Sequence, residues 1–284
     1  MKKRISLTLD SRILESVDRT IDGVSIRNRS HAIERIIEAS MMINQSKSAV
    51  LLAGGPEVSL NGKRLPKCMI PINGVPIMQH IILELKRNAV RNIIVALQDK
   101  GDDRIVEEYF KDGAAFGVKI NYAYEKRPLG TFGAVHNAFS GMVPTEPFFV
   151  LNADQFFRMD MESMYEQHIQ TGATATISLI VSETSVKRTS ATRMEGIRNL
   201  EFGKLGKHGI GLASTGSYVF SPKVFDYFRV NDLSIEYDLF PKLISRRELY
   251  GFMYPGPWYS IDNEKIRDSI KIISEIVNGT AGIK

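Results

Sequence analysis

Lys67 and Asp154 are the residues of this sequence best suited by type and setting to phosphate chemistry. Lys67 follows a glycine pair, Gly54-Gly55, that closes an apolar run ending in Leu52 and Ala53. Glycines at a strand end leave backbone N–H groups uncovered, so a base or phosphate can approach closely. A lysine beyond them can place a cation on a phosphate. Asp154 ends the apolar stretch "FFVLNAD". A carboxylate there is costly unless it meets a cation, such as Mg2+ beside a phosphate. A third segment, "PLGTFG", joins a turn to a helix start through Leu129, Gly130 and Thr131. It offers another place for polar ligand atoms. Each segment alone reads as a turn or a helix cap. Their order and placement together point to a ligand site.

The elements that must position these residues begin at Ser48. "SAVLLA", "RNIIVAL", "VKINYAY" and "PFFVLNAD" read as strands, and "PIMQHIILELKRN", "DRIVEEYFKD" and "TFGAVHNAFSG" as helices. This alternation implies a mostly parallel, doubly wound sheet. Ligands of such sheets bind at the carboxyl ends of strands, where all three segments fall. With 284 residues, 43% of them hydrophobic, the chain can bury a large core and more than one domain. The single cysteine, Cys68, excludes an internal disulfide and fits a reducing cytoplasm. No apolar run reaches the roughly 18 residues of a membrane span, and no signal-peptide core follows the basic N-terminus. His80, His136 and His168 lie on helices without metal-ligand spacing and read as packing or surface residues. "VKRTSATR", 186 to 193, reads as an exposed loop.

In front of this domain stands a different pattern, residues 1–45. Ile5, Leu7 and Leu9 alternate with Arg4, Ser6 and Thr8, as in a strand with one apolar and one basic, polar face. A helix is expected from about Arg12 to Asp22, with Gly23 as its stop, and a second from near Asn28 with Ala32, Ile33, Ile36 and Ile37 inward. So small a unit cannot bury a core alone, and its strand needs a partner edge. A two-fold dimer pairing the strands solves both problems, and the ribbon it makes suits the major groove of double-stranded DNA. Asn28, Arg29 and Ser30, at a helix N-terminus, suit a DNA phosphate. The alternative is a basic tail with an oligomerising hairpin.

The segment from Lys2 to Ser40 resembles the ribbon-helix-helix repressors of the Arc and MetJ type. The likeness rests on "KKRISLTLD", Gly23 and "NRSHAI". It implies base reading by Arg4, Ser6 and Thr8. Within a second domain, residues 48–284, the segment from about Ser48 to Ile276 resembles the sugar-1-phosphate nucleotidyltransferases. The likeness rests on "LAGG", "PKCMIPINGVPIMQHII", "EKRPLGTFGAVHNAF", "FFVLNAD", "STGSYVFSP", "SIEYDLFPKL" and "YGFMYPGPWYSID", in that order. It implies a Rossmann-like α/β fold with a mixed, mostly parallel sheet. It also implies attack of a sugar-1-phosphate on the α-phosphate of a nucleoside triphosphate. Ligand contacts are then expected at Leu52, Ala53, Gly54, Gly55, Leu129, Gly130, Thr131, Asp154, Lys204, Thr215 and Gly216, with Lys67 catalytic if the chain is active and Asp154 holding Mg2+ weakly. Trp258 belongs either to the core or to the sugar pocket.

Three positions depart from the family pattern. Ser59 stands where an arginine holds the triphosphate, with Glu57 close by; Ser260 replaces a metal-binding aspartate, with Asp262 two residues on; Gly203 replaces a sugar-binding glutamate beside Lys204. "GKRL", 62 to 65, offers Lys63 and Arg64 as substitutes if the loop folds back. These departures lead to the expectation of a DNA-binding transcription regulator, a homodimer or higher even oligomer. It senses a nucleotide or nucleotide-sugar with little or no catalysis. Two alternatives stand beside it: an active nucleotidyltransferase with an autoregulatory DNA-binding head, and a non-catalytic subunit of a paralogous enzyme.

Overall fold

The computed structural model describes residues 6–23, 26–43, 47–99, 104–140, 143–183, 189–204, 210–261 and 264–280. The chain divides into two units, Met1–Gln45 and Ser46–Lys284.

In the first unit, α1 (Ser11–Asp18) starts at Asp10, whose carboxylate accepts the Arg12 N–H at 2.9 Å. It stops four residues earlier than the sequence pattern implies. Thr20 turns its hydroxyl back onto the Val17 carbonyl at 2.7 Å, and Asp18 is engaged by Arg29 at 2.6 and 2.7 Å. The second helix, α2 (Arg29–Ile43), is capped by Asn28, whose Oδ1 accepts the His31 N–H at 2.9 Å. Val17 and Ala32 are buried, whereas Leu7, Leu9, Ile13, Ile36 and Ile37 are exposed. Ile36 and Ile37 were expected inward, but two short helices have no further layer to cover them. Arg4 and Ile5 lie outside the described residues. Ser6 to Asp10 form no strand, since the single chain offers no edge to pair with.

The second unit begins with β1 (Lys47–Leu52), then a hairpin of β2 (Glu57–Leu60) and β3 (Lys63–Pro66). Short strands β4 (Pro71–Ile72) and β5 (Val75–Pro76) lead into α3 (Ile77–Arg87), β6 (Val90–Gln98), α4 (Arg104–Phe110) and β7 (Lys119–Glu125). Next come α5 (Gly130–Ala138), β8 (Phe148–Asn152), β9 (Gln155–Phe157), α6 (Met161–Thr171) and β10 (Ala175–Glu183). The chain continues through β11 (Thr189–Glu195), β12 (Arg198–Lys204), β13 (Ile210–Phe220), α7 (Phe240–Ser245), β14 (Leu249–Met253), β15 (Trp258–Ser260) and α8 (Ile266–Thr280).

Nine strands form one sheet in the order β10-β14-β12-β11-β13-β8-β1-β6-β7. β1 runs parallel to β6 and β8, and β6 parallel to β7. β13 runs antiparallel to β8 and to β10, so the far half of the sheet is mixed. β11 holds Thr189 to Arg193, which the sequence pattern assigned to a loop; its antiparallel pairing with β12 overrides their polarity.

Alternation along the central strands explains why helices cover both faces. Ala49, Leu51, Phe149 and Leu151 join one core with Met78, Ile81, Val106, Phe110 and Met164 of α3, α4 and α6. Val50, Phe148 and Val150 join a second core with Phe132, Val135, Phe240 and Leu243 of α5 and α7. Successive strand side chains point to opposite faces, so nearly every residue of "FFVL" is apolar and buried.

Candidate active site

At the carboxyl ends of β1, β6, β7 and β8 the sheet opens into a cavity of about 290 Å3. Its walls include Leu52, Ala53, Gly54 and Gly55 after β1, Gly130 and Thr131 at the start of α5, and Lys67 and Asp154. The fold therefore gathers most of the ligand-site residues singled out from the sequence into one place. Gly54 is required by a close approach: a Cβ there would stand 3.1 Å from the Gln98 side chain and 3.2 Å from its backbone nitrogen. A Cβ on Gly55 would meet nothing within 4 Å, since that residue opens toward the cavity.

Lys67 Nζ donates to Asp154 Oδ2 at 2.5 Å across 87 residues of sequence. The two side chains are 16% and 24% exposed, so each charge answers the other while solvent and ligand still reach them. Among the described residues no group of three metal-ligating side chains assembles. Asp154 offers a single hard carboxylate, which fits Mg2+ held chiefly by substrate phosphates.

The start of α5 is tied down by the protein itself. The Phe132 N–H donates to the Leu233 carbonyl at 2.9 Å. Thr131 Oγ1 accepts the Ile235 N–H, also at 2.9 Å. A π-helical turn, Ile235–Leu239, follows this anchor. Leu129 is not in the cavity wall; its N–H donates to Glu125 Oε2 at 2.9 Å.

Glu125 is the residue that sequence reasoning missed. It is buried, lines the cavity, and ends β7 as Asp154 follows β8. Burial pushes its carboxyl above the usual carboxylate range, and the Leu129 N–H opposes that shift. Its strand-end position was the available signal. Gln98 and Asn152 complete the same rim.

Thr215 and Gly216 lie one layer behind. Gly216 has φ +74°, and a Cβ there would fall 2.3 Å from Asn152 Nδ2. Thr215 is buried, and among the described residues its Oγ1 meets no hydrogen-bond partner. Trp258 Nε1 donates to Gln155 Oε1 at 2.9 Å and to the Thr215 carbonyl at 3.1 Å, while Gln155 Nε2 donates to Ser217 Oγ at 2.9 Å. Lys204 sits in β12 opposite Thr189.

The three departures from the family pattern do not amount to a dismantled site. Ser59 is part of a hairpin that brings Arg64 Nε to 2.8 Å from Glu57 Oε2, so the acidic charge is matched. Ser260 pairs with Gln155 in a small ladder, and Asp262 lies outside the described residues. Gly203 stands opposite Ser190 in a β-ladder. His80 and His168 are packed, as expected: His80 contacts the Ile72 carbonyl at 3.2 Å, and His168 Nδ1 contacts Thr176 Oγ1 at 2.9 Å.

An α/β sheet with a glycine loop, a lysine and a strand-end aspartate around one cavity defines a nucleotide-binding protein of the phosphate-transfer class. The chain belongs to the Nucleotidyl transferase family, whose pattern matches residues 48–190. It is 31% identical over 208 residues to the "Probable mannose-1-phosphate guanylyltransferase 3" of Arabidopsis thaliana, covering 71% of this chain and 62% of that protein. It is 29% identical over 208 residues to the "D-glycero-alpha-D-manno-heptose 1-phosphate guanylyltransferase" of Aneurinibacillus thermoaerophilus, covering 72% of this chain and 88% of that protein. The chain thus spans about three-fifths of the plant relative's length and most of the bacterial one's. The crystal structure of HddC from Yersinia pseudotuberculosis superposes with a TM-score of 0.67 at 25% identity, covering 80% of this chain and 99% of that one.

These relatives overturn the expectation of a transcription regulator with little or no catalysis, because they are named as guanylyltransferases. The DNA-reading roles fall with it. Asn28 is occupied as a helix cap, and Arg29 donates from Nε and Nη2 to the Asp18 carboxylate. Ser6 and Thr8 lie in an irregular segment, and Arg4 is outside the described residues. No described helix is long and apolar enough to cross a membrane.

Proposed function

We propose that this chain is a sugar-1-phosphate guanylyltransferase, joining GTP and a sugar-1-phosphate to give a GDP-sugar and pyrophosphate. The observation that carries the reading is the Lys67–Asp154 pair in the wall of a cavity that also holds a buried carboxylate, Glu125. Guanine offers two adjacent donors, N1–H and the N2 amino group, and a carboxylate accepts both. The names of the two relatives described above support the same base. A phosphate oxygen of the sugar-1-phosphate attacks the α-phosphorus. The bond from that phosphorus to the β-bridging oxygen breaks, and pyrophosphate leaves with the electron pair.

Catalysis of this kind is positioning plus charge neutralisation. Lys67 sits on the phosphates, its ammonium steadied by Asp154. The uncovered amides of Ala53 to Gly55 approach the nucleotide. Mg2+ would be held by Asp154 and the triphosphate, and it would neutralise charge on the leaving pyrophosphate. Thr215, Gly216 and Lys204 belong to the sugar side. The chain works as a homodimer joined through residues 1–45, a reading supported by the exposed Leu7, Ile13, Ile36 and Ile37 of that unit.

The test is pyrophosphate release by the full chain with Mg2+, a panel of triphosphates, and mannose- and heptose-1-phosphates. GTP-dependent turnover on the order of 1 s−1 or more is expected. No release above the Lys67→Ala background with any pair would overturn the reading.

A further inference from the structure

We infer that Arg64 grips the β- and γ-phosphates of the incoming nucleotide, and that Glu57 holds this arginine in place until the nucleotide displaces it. The inference rests on the guanylyl-transfer reading above and adds to it a residue outside the family's arginine position.

The β2–β3 hairpin carries the argument. Its register pairs Glu57 with Pro66, Val58 with Leu65, Ser59 with Arg64 and Leu60 with Lys63. Asn61 and Gly62 make the turn with φ of 51° and 79°, the left-handed pair that tight two-residue hairpins require. Opposite residues share a face of the ladder. Glu57, Ser59 and Arg64 therefore share one face. Val58 lies on the other, buried in a core with Ile70, Phe156 and Ile261.

Both roots of the hairpin, Pro56 and Lys67, line the cavity. Glu57 is bonded to Pro56, and its Oε2 holds Arg64 Nε at 2.8 Å. The guanidinium is thus held by the residue that follows Pro56 of the cavity wall in sequence, and it belongs to the strand that leads into Lys67. The two partners are unequally fixed: the Glu57 side chain is 11% exposed and that of Arg64 76%. The carboxylate is anchored, and the arginine stands in water.

An ion pair so exposed adds little to stability. A bare Glu57 beside a triphosphate would repel it. Arg64 removes that repulsion before the ligand arrives. A guanidinium also binds phosphate oxygens with two parallel hydrogen bonds, in a geometry lysine cannot reproduce. A polyphosphate outbids a single carboxylate for such a group because it presents several negative oxygens. Glu57 then becomes a competitor for the arginine, setting how strongly the extra phosphates are held.

Calorimetric binding of GMP, GDP and GTP to the full chain tests this, alongside the KM for GTP in pyrophosphate release. Arg64→Ala is expected to weaken GTP about tenfold and to leave GMP unchanged. Arg64→Lys should recover only part of the loss. Glu57→Gln should tighten GTP several-fold in the native background, and Arg64→Ala should still weaken GTP when Glu57 is replaced by glutamine. Equal GTP affinity in native protein and Arg64→Ala, or a double variant Glu57→Gln with Arg64→Ala that binds GTP as tightly as Glu57→Gln alone, would overturn the inference. Native protein that binds GTP in this arginine-dependent way but releases no pyrophosphate would sink the catalytic reading and leave the grip standing. Native protein that binds none of the three nucleotides would sink both.

Discussion

Gly130→Ala is the substitution through which the base side of the cavity is best examined. Gly130 has φ +71°, and a Cβ there would stand 2.2 Å from the Leu233 carbonyl oxygen and 2.8 Å from its carbon. An ordinary carbon–oxygen contact is about 3.3 Å, so the carbonyl must retreat by roughly 1 Å. That oxygen accepts the Phe132 N–H at 2.9 Å, and such a retreat carries the pair beyond hydrogen-bonding distance. The lost bond costs about 1 kcal/mol, and the left-handed backbone of an alanine about 1–2 kcal/mol more. For a domain of this size each kcal/mol lowers the melting temperature by about 2–4 °C. Thermal denaturation of Gly130→Ala should therefore fall by roughly 4–12 °C, with weaker GTP binding as the start of α5 shifts. Gly55→Ala is the control: its Cβ meets nothing within 4 Å, so the melting temperature should hold while nucleotide affinity drops. A Gly130→Ala protein melting within about 1 °C of the native one, against the shift expected, would refute the claim that Leu233 is locked against the helix.

Glu125→Gln should move base preference from guanine toward xanthine, whose C2 oxygen accepts from an amide where guanine's amino group donates. The ratio of kcat/KM for GTP and XTP is expected to change at least about tenfold, and an unchanged ratio would remove Glu125 from base reading. His168 is depressed by burial to about 3 from 6.5. Below pH 6.5 the unfolded chain takes up a proton that the native state refuses, so this contribution is complete above pH 6.5 and lost on acidification. His168→Gln should then lose about 2 kcal/mol less than the native protein between pH 7 and 5 in urea titrations, and parallel pH profiles would count against a neutral buried imidazole.

The central strands and their helices were legible because apolar periodicity reports burial on each face, and "FFVL" or "SAVLLA" can hardly be anything but covered strands. Lys67 and Asp154 were legible one at a time, as a cation and a strand-end carboxylate. Their pairing across 87 residues was not, since only the sheet brings them together. Glu125 was hidden by its neighbours: in "YEKRP" it reads as one more solvated charge, and burial comes from the fold alone. The hairpin was legible only as a condition: Lys63 and Arg64 were named as substitutes if the loop folds back, and "LNGK" carries an Asn-Gly turn signal, but the pairing of Arg64 with Glu57 appears only in the folded ladder. A mixed sheet was expected from the family resemblance alone; the particular antiparallel partners β11 and β12 were not legible, because polar residues on such strands leave a weak periodic signal.

Among the described residues, β13 joins the parallel group, β8, β1, β6 and β7, to the mixed group, β11, β12, β14 and β10. The strand ends that surround the donor cavity all lie on one side of that seam. The chain between 175 and 253 is nevertheless tied to that cavity, because Leu233 and Ile235 within it anchor the start of α5.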